Sequence, residues 1–191
     1  MGMKQILVMM VAVVLVGCGK PSPAVEIVDP IVEKAVREVL EKPKGELTEA
    51  DCEKVTSINL YKYKITEDGL KDLAKLQKLE ELLLRNTKVT DASLKEVAKL
   101  QGLIALDLAE SNITDAGLKY VVKLKKLKFL RLWDTKVTDE GLKELVKLPN
   151  LERLDLTKVS ITVRTELEKK LPNCRIILPD TRMPIINEAG P

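Results

Sequence analysis

One spacing governs the chain between Leu79 and Leu156: residues recur every 24 positions. Leu82, Leu106, Leu130 and Leu154 form one column. Leu84, Leu108, Leu132 and Leu156 form a second, and Thr90, Thr114, Thr138 and Thr162 a third. Each unit reads roughly L-x-x-L-x-L-x-x-T-x-V-T-D-x-G-L-K-x-L-x-K-L. A unit this short cannot bury its own apolar face, so it must stack on its neighbours, and the product is a solenoid.

Each unit opens with alternation. Ile58 and Leu60, Leu82 and Leu84, Leu106 and Leu108, Leu130 and Leu132, and Leu154 and Leu156 face inwards, and period two predicts a short strand. The second half of each unit changes to helical spacing, as in Leu94, Val97 and Ala98, or Val121, Val122 and Leu124. A strand and a return helix in every unit predict an α/β fold, with a parallel sheet on the inner curve and helices on the outer one. Asp91, Asp115 and Asp139 each follow a Thr where the return helix begins, and Thr or Asp there is expected to cap it. Gly69, Gly117 and Gly141 come just after, while Ser93 takes the glycine's place in one unit. Aromatics make up only 3% of the chain, which suits a core built from stacked Leu and Val rows.

In phase and in wording, these units resemble leucine-rich repeats of the bacterial T-x-V-T-D-x-G-L-K-x-L type. The resemblance implies a solenoid of five repeats over about two thirds of the chain. It departs at the ladder position, usually Asn in that family and here Tyr63, Thr87, Ser111, Thr135 and Val159. Thr and Ser hydroxyls can still bond backbone in the turn, and Val159 cannot. The last unit loses phase at Val163 and Thr165. Pro172-Asn173-Cys174 then leads into Ile176-Ile177-Leu178, which resembles the L-P-N-C-x-I closing strand of such proteins.

The flanks carry their own signals. Lys4 followed by apolar Ile6 to Val16 reads as a secretory leader, too short for a comfortable membrane span. Leu15-Val16-Gly17-Cys18 resembles the lipobox of bacterial lipoproteins. That resemblance implies cleavage after Gly17 and a lipid on Cys18, which would anchor the protein to a membrane. Gly19 in place of an acidic residue leans towards the outer membrane or cell surface. Residues 18–28, with Pro21 and Pro23, read as the lipidated cysteine and a tether. Residues 29–56 read as a helical cap for the open end of the first repeat. Asp29 and Pro30 start a helix with Ile31, Ala35, Val36 and Val39 on one face, ended by Pro43 and Gly45. Thr48 with Asp51 starts a short second one. This segment resembles the N-terminal cap of secreted bacterial leucine-rich repeat proteins. The expected layout is residues 1–17 signal peptide, 18–28 tether, 29–56 cap, 57–180 repeats with the closing strand, and 181–191 a loose tail. Cys52 and Cys174 lie five strand steps apart, roughly 24 Å, beyond disulfide reach, and read as buried apolar residues.

A formal charge of +3 is too small to suggest nucleic acid. The chain has no histidine, which excludes the usual catalytic triads and zinc sites, so no catalytic residue, metal or cofactor is expected. Asp107 and Asp155 are spaced like an inverting glycosidase pair, but Arg131 stands between them, where a general acid needs surroundings that favour its protonated form. Lysine columns on the helices (Lys71, Lys95, Lys119, Lys143 and Lys75, Lys99, Lys123, Lys147) run beside acids, as on a solvated convex face. The outward strand positions vary more. Phe129 and Trp133, the only Phe and only Trp, share a strand with Arg131 between them. Next to them Ala105 and Ala109 leave a dent, and Trp and Arg are enriched at binding hot spots. The aromatics could equally fill that dent, with Asp107, Arg131 and Asp155 as a charge ladder. The expected binding face comprises Tyr61, Leu83, Arg85, Asp107, Phe129, Arg131, Trp133 and Asp155. The expected partner is a protein or peptide held by a monomer, with an envelope scaffold or glycan binding as alternatives.

Overall fold

The computed structural model describes residues 22–179. The expected leader (1–17), Cys18 with its lipid, and the tail (181–191) lie outside the described residues. Six strands pair in chain order, all parallel. They are β1 (Ser57–Asn59), β2 (Glu81–Leu83), β3 (Ala105–Asp107), β4 (Phe129–Arg131), β5 (Arg153–Asp155) and β6 (Arg175–Ile177). Register follows the repeat: Leu82 lies between Ile58 and Leu106, and Leu130 between Leu106 and Leu154. The closing strand then sets Ile176 beside Leu154. Return helices α3 (Glu67–Leu73), α4 (Leu94–Val97), α5 (Asp115–Val121), α6 (Asp139–Lys143) and α7 (Ile161–Lys170) complete the turns. This is the α/β leucine-rich solenoid that the period predicts.

Every inward strand position from Ile58 to Leu156 is buried. The strands are short because the chain turns straight after each one. Lys62, Asn86, Glu110 and Asp134 take left-handed φ of 64°, 55°, 54° and 53°. The expected ladder hydroxyls fasten those turns: Thr87 donates to the Leu84 carbonyl at 2.6 Å, Ser111 to Leu108 and Thr135 to Leu132. One apolar cluster runs from Ile27 to Cys174, so the described segment holds its own core. Cys52 and Cys174 are both buried free thiols, as expected. Burial pushes both thiols up, Cys174 to about 11.

The aspartates of the repeat do more than the expected capping. Thr66 and Thr114 cap their helices, accepting from the Gly69 and Ala116 N–H. Asp91 instead reaches forward one repeat and accepts from the Thr114 N–H and hydroxyl at 2.8 and 2.6 Å. Asp115 does the same for Thr138, and Asp139 accepts from the Ser160 N–H. Asp29 of the cap stands in for the missing previous repeat and accepts from the Thr66 hydroxyl at 2.7 Å. The glycines leave room for these carboxylates. A Cβ on Gly69, Gly117 or Gly141 would collide with Asp29, Asp91 or Asp115 respectively. Where Ser93 replaces the glycine, the preceding acid is Glu67, Thr90 N–H turns to Ser93 instead, and α4 shrinks to four residues with no side-chain cap.

The cap differs from expectation in two places. Helix α1 (Pro30–Val39) starts on Asp29, which accepts from Ile31 and Val32 N–H, but its buried residues are Val32 and Val36. Of the expected stripe, Val36 is buried and Ile31 and Ala35 pack partly buried against the core, while Val39 is 47% exposed and Val32 takes the remaining buried place. The helix also ends before Pro43, where Glu41 takes a left-handed φ of 51°. Helix α2 (Glu49–Cys52) has the predicted start, a reciprocal Thr48–Asp51 capping box. Lys42 and Thr48 hold the Asp51 carboxyl well below the usual range. Second, the stretch expected as a tether is docked from Ala24 onwards. Ala24 bridges Thr48, Val25 N–H donates to the Leu47 carbonyl at 2.8 Å, and Ile27 is buried. Alternate apolar residues there give the segment an inward face, which the two prolines mask in the sequence.

Candidate functional site

The outward positions of β1 to β5 and the residues after them form the concave face. The structure divides the expected binding residues into three groups. The first is a charge ladder. Arg131 contacts Asp107 at 3.2 Å on one side and Asp155 at 3.3 Å on the other. Arg153 adds two bonds to Asp155 at 2.7 and 3.0 Å, which push its guanidinium above the ordinary value. Asp107 also accepts from the Ala109 N–H at 3.0 Å. Both aspartates are buried: Asp107 is occupied by Arg131 and backbone, Asp155 by Arg131 and Arg153. The cross-strand ladder is therefore formed, and the two carboxylates face Arg131 rather than an open gap.

The second group surrounds Arg85. Its guanidinium lies 4.6 Å from the Trp133 ring centre and 5.3 Å from that of Tyr61. Glu110 fixes it with bonds of 2.7 and 3.1 Å. Arg85 and Trp133 stand on either side of Ala109, in the turn that follows β3, and Ala109 is fully buried. Trp133 therefore packs over that dent, and Arg85 takes up one face of its ring by a cation–π contact.

The third group stays open. Phe129 is 42% exposed. Beside it lies a shallow pocket of about 200 Å³ lined by Leu83, Ala105, Asp107, Phe129 and Arg131, with Glu81 and Arg153 at its margins. It is a dent because β3 places a small side chain, Ala105, between Glu81 on β2 and Phe129 on β4, while Leu83, beside Asp107, adds apolar surface. Arg131 and Arg153 stay about half exposed even in their ion pairs, leaving N–H donors at the mouth. Glu81 accepts from the Ser57 hydroxyl at 2.8 Å on the opposite side.

Three residues of this face were missing from the expected set. Glu110 sits in a turn, and its signal was an acid one repeat and one residue after Arg85. Glu81 and Arg153 belong to the outermost column, where opposite charges two and one strands from Phe129 mark the margins of the dent. On the convex face, Lys71, Lys75, Lys99, Lys143 and Lys147 each pair with an acid three residues earlier. Apart from Lys75, whose partner Asp72 is buried, these exposed pairs keep the surface mixed in charge and add little stability. Among the described residues, no three His, Cys, Asp or Glu side chains gather as a metal site.

A family described as Leucine Rich repeat matches residues 101–122. No match was found among the curated proteins. Three solved structures are similar to the chain, and the first two share its fold. The chain is 19% identical to leiomodin-1 Actin-Binding Site 2, with a TM-score of 0.54, over 78% of this chain and 90% of that one. It is 13% identical to the tropomodulin C-terminal domain of Caenorhabditis elegans, with a TM-score of 0.55, over 74% and 92%. It is 20% identical to internalin C2 of Listeria monocytogenes, with a TM-score of 0.45, over 81% and 87%.

Proposed function

We propose that this chain is a lipid-anchored envelope protein without catalytic activity, whose concave face binds a protein or peptide segment at the Phe129 pocket. The leucine-rich repeat domain suggests protein–protein binding. Leiomodin-1, a distant structural neighbour, is named for an actin-binding site; at that identity it lends the fold and not the partner. The observation that carries the reading is the exposed Phe129 beside an apolar floor, next to arginines with donors to spare. An apolar side chain of the partner fills the pocket, and a carboxylate or carbonyl beside it meets Arg131 or Arg153. Trp133 and Tyr61 brace Arg85 at the edge of this surface. The anchor is the lipid on Cys18, and the protein stands at the outer membrane or cell surface.

Two experiments test the two halves. A photo-crosslinking side chain replacing Phe129 in the producing cells gives a defined adduct, while the same side chain at Lys95 on the convex face gives none. Equal capture from both positions, or none from Phe129, refutes the concave site. Metabolic labelling with an alkyne fatty acid marks the full chain and fails for Cys18→Ser; labelling that persists in that variant refutes the anchor.

A further inference from the structure

We infer that the rim of the solenoid at the strand N-termini rests on an anionic lipid surface; this rests on the lipid anchor at Cys18. Two features coincide at that rim. The first is charge. Between Gly117 and Phe129 the chain carries five lysines and no acid. Lys123, Lys125 and Lys126 are exposed, and among the described residues none of them has a carboxylate partner. Lys78 occupies the matching turn two repeats earlier, also without one. The repeat pattern leaves these turn positions unspecified, since Gln101 and Gly102 or Pro149 and Asn150 serve there equally well. The opposite rim has the other character, with Asp91, Asp115 and Asp139 in its ladder and Glu110 and Asp134 in its turns.

The second feature is where the chain enters. Lys75 Nζ, on the lysine rim, donates to the Glu26 carbonyl at 2.5 Å. The segment leading back to Cys18 is thus fastened on the same side as the lysines. Because it is docked from Ala24, and Ser22 already accepts from the Ala50 N–H, only three residues separate Cys18 from the body. The four Cα steps from Cys18 to Ser22 span at most about 14 Å. A lipid on Cys18 therefore holds the cap end of the lysine rim within about a Debye length or two of the headgroups; Lys123, Lys125 and Lys126 lie three strand steps along, roughly 14 Å, and attract anionic lipid once the rim lies down on it. With the rim down, the concave face stands on edge and the Phe129 pocket stays open to a partner alongside the membrane.

The test uses the chain from Lys20 onwards, which holds the whole core and lacks both leader and lipid. It is sedimented with vesicles of one part phosphatidylglycerol to two parts phosphatidylcholine, at low salt. The wild type binds these and not pure phosphatidylcholine. The triple variant Lys123→Ala, Lys125→Ala, Lys126→Ala binds on the order of a hundredfold more weakly. The triple variant Lys64→Ala, Lys88→Ala, Lys136→Ala removes the same charge from the opposite rim and binds as the wild type does. Equal loss in both variants reduces the effect to net charge and overturns the oriented rim. So does an absence of wild-type binding, or binding to a soluble polyphosphate but not to vesicles. Fatty-acid labelling of the full chain reports on Cys18 separately, so loss of the anchor and loss of the rim are told apart.

Discussion

At the scale of single residues, the repeat is a set of mutual allowances. Gly141 is small because Asp115 passes over it to reach Thr138, and the three atoms nearest an added Cβ all belong to Asp115. Gly141→Ala alone should destabilise by about 1–3 kcal/mol through overpacking. Asp115→Ala alone should lose two hydrogen bonds, about 1–2 kcal/mol. The double variant should lose clearly less than the sum, because the clash is gone once the carboxylate is; strict additivity in urea melts would show that the glycine serves another purpose. The two concave aromatics separate by the same kind of reasoning. Trp133 braces Arg85 over the buried Ala109, and Trp133→Ala should destabilise by about 1–3 kcal/mol. Phe129 is open, and Phe129→Ala should stay within about 0.5 kcal/mol of wild type in the same urea melts. The sequence paired these residues because both are large and face outwards. What it could not show is that a guanidinium two strands away would reach only one of them.

At the scale of elements, the cap is tied to the first repeat by two carboxylates. Asp29 caps α1 and accepts from Thr66. Asp72, on α3, accepts from the Val28 and Asp29 N–H, both at 2.7 Å, and from Lys75 at 2.6 Å. Burial alone would raise the Asp72 carboxyl, but Lys75 and the two N–H groups outweigh it and hold it below its ordinary value. A carboxyl lowered on folding stabilises the native state above its unfolded pKa of about 3.9, and that contribution is lost as pH falls through the lower folded value. Asp72→Asn should therefore destabilise by about 1–3 kcal/mol near neutral pH, and the gap to wild type should narrow towards about pH 3. A gap that is the same at both pH values would mean that packing, not ionisation, is what Asp72 supplies. This clamp was not legible in the sequence. Asp72 occupies an ordinary outer position of α3 in the repeat, and its partners belong to a segment that reads as a tether. For the same reason Val39 carries the apolar signal of the α1 stripe yet stays exposed, while Val32 is buried: the surface the helix lands on decides between neighbouring apolar positions.

At the scale of the whole molecule, the period of 24 carries nearly all of the architecture, since register, sheet order and helix placement follow once one unit is stacked on the next. The period says nothing about how the stack ends, and the ends are where a solenoid is vulnerable. At the C-terminal end the phase breaks and β6 closes the sheet: Arg175 N–H donates to Glu152 at 2.8 Å, and Leu156 N–H to Ile177 at 2.9 Å. Without β6, strand β5 becomes an edge with free backbone groups, and the buried Leu154 and Leu156 lose the neighbours on that side. Among the described residues after Leu171, β6 pairs with β5 and packs on α7 alone, so the array itself should still form. Light scattering should find the chain from Lys20 to Pro191 as a monomer, and the same chain stopped after Leu171 as dimers or larger aggregates, with helical circular dichroism largely retained. A truncated chain that stays monomeric and melts like the intact one would show that α7 alone closes the stack and that β6 is dispensable.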